Sequence, residues 1–207
     1  MRREYRDSTL EETDVARDPM EQFKSWFEQA LEVESRDPSG MTLSTADAEG
    51  RPSGRIVLLK GIEPGGFVFY TNYCSRKARE LEENPWAALT FWWNELDRQV
   101  RIEGHIVRTS AAASSAYFAT RPRESQLGAV ASLQSRPIPS RQALIDAVES
   151  VRNDCRESDV PCPANWGGYC LEPHAYEFWQ GRSSRLHDRL AYRLSGNEEW
   201  LIERLAP

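Results

Sequence analysis

Phe178-Trp-Gln-Gly-Arg-Ser-Ser-Arg-Leu-His-Asp-Arg189 reads as strand, turn, strand: two extended runs flank the small polar connection Gly181-Arg-Ser-Ser184. Side chains on a strand alternate faces, so Arg185, His187, Arg189 and Arg193 are expected on one face and Leu186, Leu190 and Leu194 on the other. A cationic row backed by an apolar one, with Trp179 beside it, suits an anion. Taken alone, the stretch suits a solvated charged face better.

Working outward, the same hairpin pattern recurs. Strands are predicted at Met41–Ala46, Gly54–Lys60 and Phe67–Thr71, with turns at Asp47–Gly50 and Glu63–Gly66. Further strands follow at Trp86–Trp93, Gln99–Arg108, Trp166–Leu171, Ala175–Gln180, Leu186–Leu194 and Trp200–Leu205. Helices interrupt the meander. One starts at Asp18-Pro19-Met20-Glu21, with an acidic cap and proline in the first turn, and carries Phe23, Trp26, Phe27, Ala30 and Leu31 at helical spacing. Others are predicted at Ser75–Asn84, Ala111–Ala119, from Pro122, and at Ser140–Cys155, where Leu144, Val148 and Val151 form a stripe. The fold class is mainly β with appended helices, an α+β β-barrel, rather than a βαβ array. Residues 1–17 read as a polar mobile arm, and 18–207 as one domain.

The 207 residues carry a net charge of −6, which argues against a general nucleic-acid or anionic-membrane surface. The four cysteines, Cys74, Cys155, Cys162 and Cys170, make no C-x-x-C pair, and the three histidines, His105, His174 and His187, are dispersed, so no metal is expected. The charged N-terminus lacks an apolar run of the secretory type, no stretch approaches a membrane span, and a cytoplasmic location is expected. There is no G-x-G-x-x-G, P-loop or H-E-x-x-H, and no defensible Ser-His-Asp order.

Against that acidic total, cations gather locally at Arg55/Lys60, Arg76/Lys77, Arg121 and Arg185/Arg189. Arg76 and Lys77 fall in the first turn of a helix that Ser75 can cap, where cations oppose the helix dipole unless an anion joins them. Tyr117, Arg121 and Ser125 converge at a second helix start and make a plausible phosphate corner. The generic inference is a phosphorylated, ring-bearing ligand whose chemistry a cofactor carries.

The blocks Arg55-Ile-Val-Leu-Leu-Lys60, Phe69-Tyr-Thr-Asn72, Ser75-Arg-Lys77, Arg98-Gln-Val100, Tyr117-Phe-x-x-Arg-Pro-Arg-x-Ser125, Gln134-Ser135, Asn165-Trp-Gly-Gly168 and Glu177-Phe-Trp-Gln-Gly-x-x-x-Arg-Leu-His-Asp-Arg189 stand in family order along the whole chain. With them the sequence resembles the pyridoxamine 5′-phosphate oxidases, from Arg2-Arg-Glu-Tyr5 to Arg204-Leu-Ala-Pro207. The resemblance implies a split β-barrel homodimer with FMN at the subunit interface. It implies oxidation of pyridoxamine or pyridoxine 5′-phosphate to pyridoxal 5′-phosphate, with dioxygen as acceptor and hydrogen peroxide as product.

By the same resemblance, Arg55, Ile56, Val57, Leu58, Leu59, Lys60, Tyr70, Thr71, Arg76, Lys77 and Gln99 bind FMN from one chain. Gln134, Ser135, Trp179 and Arg189 bind it from the other. Lys60, Tyr117, Arg121 and Ser125 hold the substrate phosphate, while Arg185, Leu186 and His187 lie at the pyridine ring, with Arg185 and His187 as the catalytic pair. Arg2, Arg3, Glu4 and Tyr5 form a lid. Arg136 and Cys170 depart from the usual pattern. Arg55 and Lys60 differ by an odd number, so a bulge, twist or strand end must bring both to one pocket. The alternatives are a split-barrel flavoprotein reductase with another substrate and a non-catalytic carrier of FMN or pyridoxal phosphate.

Overall fold

The computed structural model describes residues 8–34, 36–63, 65–156, 158–196 and 199–207. The expected lid residues Arg2, Arg3, Glu4 and Tyr5 lie outside them. Helix α1 (Pro19–Val33) begins at the predicted cap. Asp18 Oδ1 accepts from the Met20 N–H at 2.9 Å, and Pro19 takes the first turn, where no N–H is needed. Its stripe buries Phe23, Trp26 and Ala30, while Leu31 at the margin stays exposed. Phe23 meets Phe67 edge-on at 4.8 Å and Trp26 meets Phe178 at 5.3 Å, which lays the helix on the sheet.

The sheet contains β1 (Gly40–Ala46), β2 (Pro52–Leu58), β3 (Gly61–Glu63), β4 (Gly66–Asn72), β5 (Trp86–Trp93), β6 (Arg98–Arg108), β7 (Trp166–Gln180), β8 (Asp188–Leu194) and β9 (Trp200–Arg204). Among the described residues these strands pair in the order β2-β1-β5-β6-β7-β4-β3, with β8 on β7 and β9 on β8. Every pairing is antiparallel. Strands β2 and β4 touch although they stand far apart in that order, so the sheet curls into half of a split barrel. Register fixes the faces. Phe91, Val100, Phe178 and Leu190 are directly opposite one another across β5, β6, β7 and β8, and all four are fully buried. The next row, Trp92, Gln99, Trp179 and Arg189, points to the other face.

Two expectations need correction. The predicted strands at 166–171 and 175–180 are one strand, β7, because β6 pairs along nearly all of it. On the opposite edge β4 pairs only as far as Leu171 and β8 begins at Ala175. Pro173 sits in that gap, where its missing N–H breaks no ladder bond. The bulge between Glu103 and Gly104 absorbs the bend. A Cβ on Gly104 would lie 2.1 Å from the Glu172 carbonyl oxygen, which is backbone and cannot turn aside. Gly104→Ala is therefore expected to lower stability by about 2–3 kcal/mol and Tm by roughly 5–10 °C. Thermal unfolding checks this; a Tm within a degree of the parent contradicts it.

The segment Phe178–Arg189 also departs from expectation. Strand β8 starts at Asp188, not Leu186. Residues Ser183–Arg185 form a 3-10 turn in which Ser184 and Arg185 take φ of 55° and 62°. Arg185 and His187 thus belong to the connection, and the alternation argument holds only for Arg189 and Arg193. Leu190 is buried as expected, but Leu186 is 69% exposed.

Helices α2 (Arg76–Glu83), α3 (Ala111–Thr120), α4 (Arg123–Ala131) and α5 (Arg141–Asp154) complete the fold. α5 buries none of its residues: Val148 and Val151 rest on a smaller core of Phe118, Leu127, Val160 and Trp166, while Leu144 is largely outside it. No helix among the described residues is long and apolar enough to cross a membrane.

Candidate active site

A cavity of about 500 Å³ opens between β2, β4, α3 and α4. Arg55, Lys60, Lys77 and Arg121 line it, together with Tyr70, Thr71, Tyr117, Ser125 and Gln134, and among the described residues no carboxylate does. Four cations thus face one space in a chain of net charge −6. β2 ends the strand order, so the cavity runs over its unpaired edge and meets Ile56, Val57 and Leu58 in succession. This resolves the parity of Arg55 and Lys60. Strand β2 stops at Leu58, the Leu59 N–H donates to Ser39 O, and the Lys60 N–H donates to Val68 O on β4. The chain changes partner between the two cations.

At one end Lys77 Nζ donates to Gln134 Oε1 at 2.8 Å, Thr71 Oγ1 at 3.1 Å and Ser75 Oγ at 3.3 Å. Burial, and then the charge of Arg55, push the Lys77 ammonium down to about 8. Ser75 stands at the N-cap of α2, but its side chain makes no capping bond and serves Lys77 instead. At the other end Arg121 follows α3 as its C-cap, with an extended backbone. Its guanidinium lies over Trp166 at 4.7 Å, its Nη1 is buried with no hydrogen-bond partner among the described residues, and burial pulls it below the usual arginine range. A buried guanidinium nitrogen facing a cation-lined space fits an anion as its missing acceptor. Tyr70 stacks on Tyr117 at 4.0 Å and on Trp166 at 5.4 Å, giving this end a flat aromatic wall.

Several expected residues are elsewhere. The Leu59 side chain is in the hydrophobic core, so only its backbone could serve a ligand. Arg76 folds back, donating from Nε to Glu80 Oε1 at 2.7 Å, and does not line the cavity. Ser135 is exposed beside Gln134, at φ 68°. Gln99, Trp179, Arg189, Arg185, Leu186 and His187 also lie outside the cavity.

Those residues make a second grouping. Gln99 is directly opposite Trp179, and Trp179 opposite Arg189, on the face that also carries Trp92. Arg189 Nε donates to Glu177 Oε1 at 2.8 Å, which holds the guanidinium and keeps it charged. The His187 ring lies 4.6 Å from Trp179. The Arg182 N–H donates to His187 Nδ1 at 3.1 Å, which places the proton of the neutral imidazole on Nε2. Burial and the nearby Arg185 charge lower the His187 pKa and favour that neutral form. Arg182 Nη1 bonds Asp188 Oδ2 at 3.0 Å, and Arg204 Nη1 bonds Asp188 Oδ1 at 2.9 Å, tying the connection to β9.

Within the chain, Gln134 lies with Arg55 and Lys77 at the cavity, and Gln99 lies in one row with Trp179 and Arg189. The sequence alone assigns no role to Trp166, the floor under Arg121, although the Asn165–Gly168 block contains it. Nor does it single out Glu80 and Glu177, whose signal is a carboxylate spaced to meet arginines of a neighbouring element. No group of three His, Cys, Asp or Glu among the described residues could hold a metal.

Known proteins share both the sequence and this architecture. A profile of the pyridoxamine 5′-phosphate oxidases matches residues 27–155, and one of the pyridoxine 5′-phosphate oxidase C-terminal dimerisation region matches residues 166–207. A pyridoxine/pyridoxamine 5′-phosphate oxidase of Acaryochloris marina is 53% identical over all of this chain and 94% of its own length. One from Cupriavidus necator is 54% identical over 100% and 97%. Among solved structures, PhzG from Burkholderia lata, in complex with tetrahydrophenazine-1-carboxylic acid, superposes with a TM-score of 0.90 at 32% identity, covering 97% of this chain and 99% of its own.

Proposed function

The chain belongs to the pyridoxamine 5′-phosphate oxidase family, and from that premise we propose that it oxidises pyridoxamine and pyridoxine 5′-phosphate at C4′, using FMN and dioxygen. The observation that carries the reading is the cavity in which, among the described residues, four cations meet with no carboxylate and Arg121 keeps a buried Nη1 without a hydrogen-bond partner. Two phosphates, one of the cofactor and one of the substrate, account for that many cations. The residues fit FMN: Lys77, Thr71, Gln134 and Arg55 would hold its phosphate, and the Gln99–Trp179–Arg189 row offers a flat surface and polar edges to its ring.

These two groupings share no residue, and the second, apart from Gln99, lies inside the segment matching the dimerisation region. A homodimer in which the cavity of one protomer faces the Trp179 row of its partner would complete the site.

FMN, when bound, supplies two-electron acceptance from C4′ and onward reduction of dioxygen to hydrogen peroxide. The protein supplies position and charge. Lys60, Tyr117, Arg121 and Ser125 hold the substrate phosphate, and Trp166 lies under the Arg121 guanidinium. Arg185 covers the pyridine ring. His187 presents an Nε2–H donor at neutral pH, so its role is to hold a ring substituent rather than to remove a proton. The amine substrate loses ammonia by hydrolysis of the resulting imine; the alcohol gives the aldehyde directly.

Purified protein is expected to be yellow and to release peroxide with pyridoxamine 5′-phosphate. Flavin-loaded protein without that turnover would refute the proposal. The likeness to PhzG keeps a second reading in view, a flavoprotein acting on another ring system. Equal rates on phosphorylated and unphosphorylated pyridoxamine would favour it.

A further inference from the structure

Glu80 lies on α2 one turn after Arg76 and is 4% exposed. Its Oε1 accepts from Arg76 Nε at 2.7 Å. Its Oε2 accepts from Arg55 Nη2 at 3.1 Å, Ser53 Oγ at 2.6 Å and Thr45 Oγ1 at 2.5 Å. Burial alone would raise this carboxyl, but those hydrogen bonds and the Arg55 charge outweigh it and bring it to about 2. Arg55 is held in turn: Nη1 donates to Leu43 O at 3.0 Å and Thr45 Oγ1 at 2.6 Å, and Nη2 donates to Ser53 Oγ as well as Glu80. The terminal nitrogens of Arg55 are thus committed within its own chain, although the residue lines the cavity. Arg55 offers its charge from a fixed place, not on a flexible arm.

We propose that Glu80 is a positioning residue for the cofactor phosphate, clamping Arg55 of β2 and Arg76 of α2 to one carboxylate. The assignment rests on the reading of this end of the cavity as the FMN phosphate site. A carboxylate beside an anion site weakens the attraction by its charge, so its benefit lies in geometry. The two effects have opposite signs in an isosteric amide. The amide introduced by Glu80→Gln has one acceptor oxygen, and its NH₂ would face guanidinium donors, so one arginine is released.

Lys77 reports the same clamp. The charged groups that act on it are Arg55 from β2, which lowers its pKa, and Glu80 from α2, which raises it. Thr71, Ser75 and Gln134 surround it with neutral partners. Lys77 is protonated below about pH 8 and neutral above, so phosphate affinity should fall as pH rises through that value. Removing the Glu80 charge moves this midpoint down.

The test titrates apoprotein with FMN and with riboflavin, by flavin fluorescence, from about pH 7 to about pH 9.5, a range that spans the Lys77 transition. Wild type is expected to prefer FMN and to lose that preference above about pH 8. Glu80→Gln is expected to bind FMN on the order of tenfold more weakly at about pH 7, with riboflavin affinity unchanged and a lower midpoint. Glu80→Asp keeps the charge but is too short to reach both arginines; it should lose FMN affinity and retain the wild-type midpoint. FMN binding in either variant as tight as wild type, or tighter, overturns the assignment while the phosphate reading stands. Equal affinity of wild type for FMN and riboflavin overturns the phosphate reading and the assignment together.

Discussion

Arg121→Ala is expected to lower kcat/KM for pyridoxamine 5′-phosphate by roughly 100- to 1,000-fold, almost entirely through KM. A guanidinium offering two charge-assisted hydrogen bonds to a phosphate is worth about 3–4 kcal/mol, and the phosphate is held alike in ground and transition states. The fold should tolerate the change. Arg121 Nη1 makes no hydrogen bond among the described residues, and what is lost is the guanidinium's contact with Trp166 at 4.7 Å and with Phe118 at 5.4 Å. FMN content should be unaltered, because the flavin phosphate is assigned to the Lys77 end. Steady-state kinetics on phosphorylated and unphosphorylated substrate check the result. A KM within a few-fold of wild type would remove Arg121 from the phosphate site.

Arg185→Ala is expected to cut kcat by about 100-fold or more with FMN retained. A ring displaced by an ångström from its reacting partner loses on the order of 100-fold in rate, and Arg185 is the residue assigned to press the pyridine ring against the flavin. The side chain is exposed and ends a short turn at φ 62°, a strain alanine would share with arginine, so no new destabilisation is introduced. Single-turnover flavin reduction with the bound substrate separates this from a binding defect. Unchanged reduction would leave Arg185 without its proposed role.

Local chemistry is legible in the sequence. Asp18-Pro19 marks the start of α1 because a cap needs no tertiary partner. The alternation of Phe178 and Trp179 sets a buried face against an open one. What strand pairing controls is not legible. Pro173 looks like a strand end until one sees that β6 carries the ladder past it. Arg185 and His187 look like strand residues because nothing local announces a positive φ at Ser184 and Arg185, neither of which is glycine. The family resemblance names Gln99 and Gln134, but which side chains each one meets within the chain depends on which strands and loops lie side by side. Lys77 turns inward and Arg76 turns back because Glu80 lies one turn beyond Arg76, a choice that first-turn charge counting does not make.

Strand β7 carries both halves of the machinery, Trp166 under Arg121 at its beginning and Trp179 beside His187 at its end. At about 3.3 Å per residue these points stand up to roughly 40 Å apart along one chain. In the proposed dimer, each protomer therefore gives away half of its own catalytic equipment and borrows the other half. Genetically, that makes two defective alleles able to rescue one another. A chain with Arg121→Ala paired to a chain with Arg185→Ala would concentrate both lesions in one site and leave the second site entirely wild type. Mixing the two defective proteins under subunit exchange, assayed with substrate well below the raised KM of Arg121→Ala, should thus recover up to about a quarter of wild-type activity, since random pairing makes half of the dimers mixed and each mixed dimer has one intact site. Mixtures no more active than their parents under that assay would mean that each protomer completes its own site.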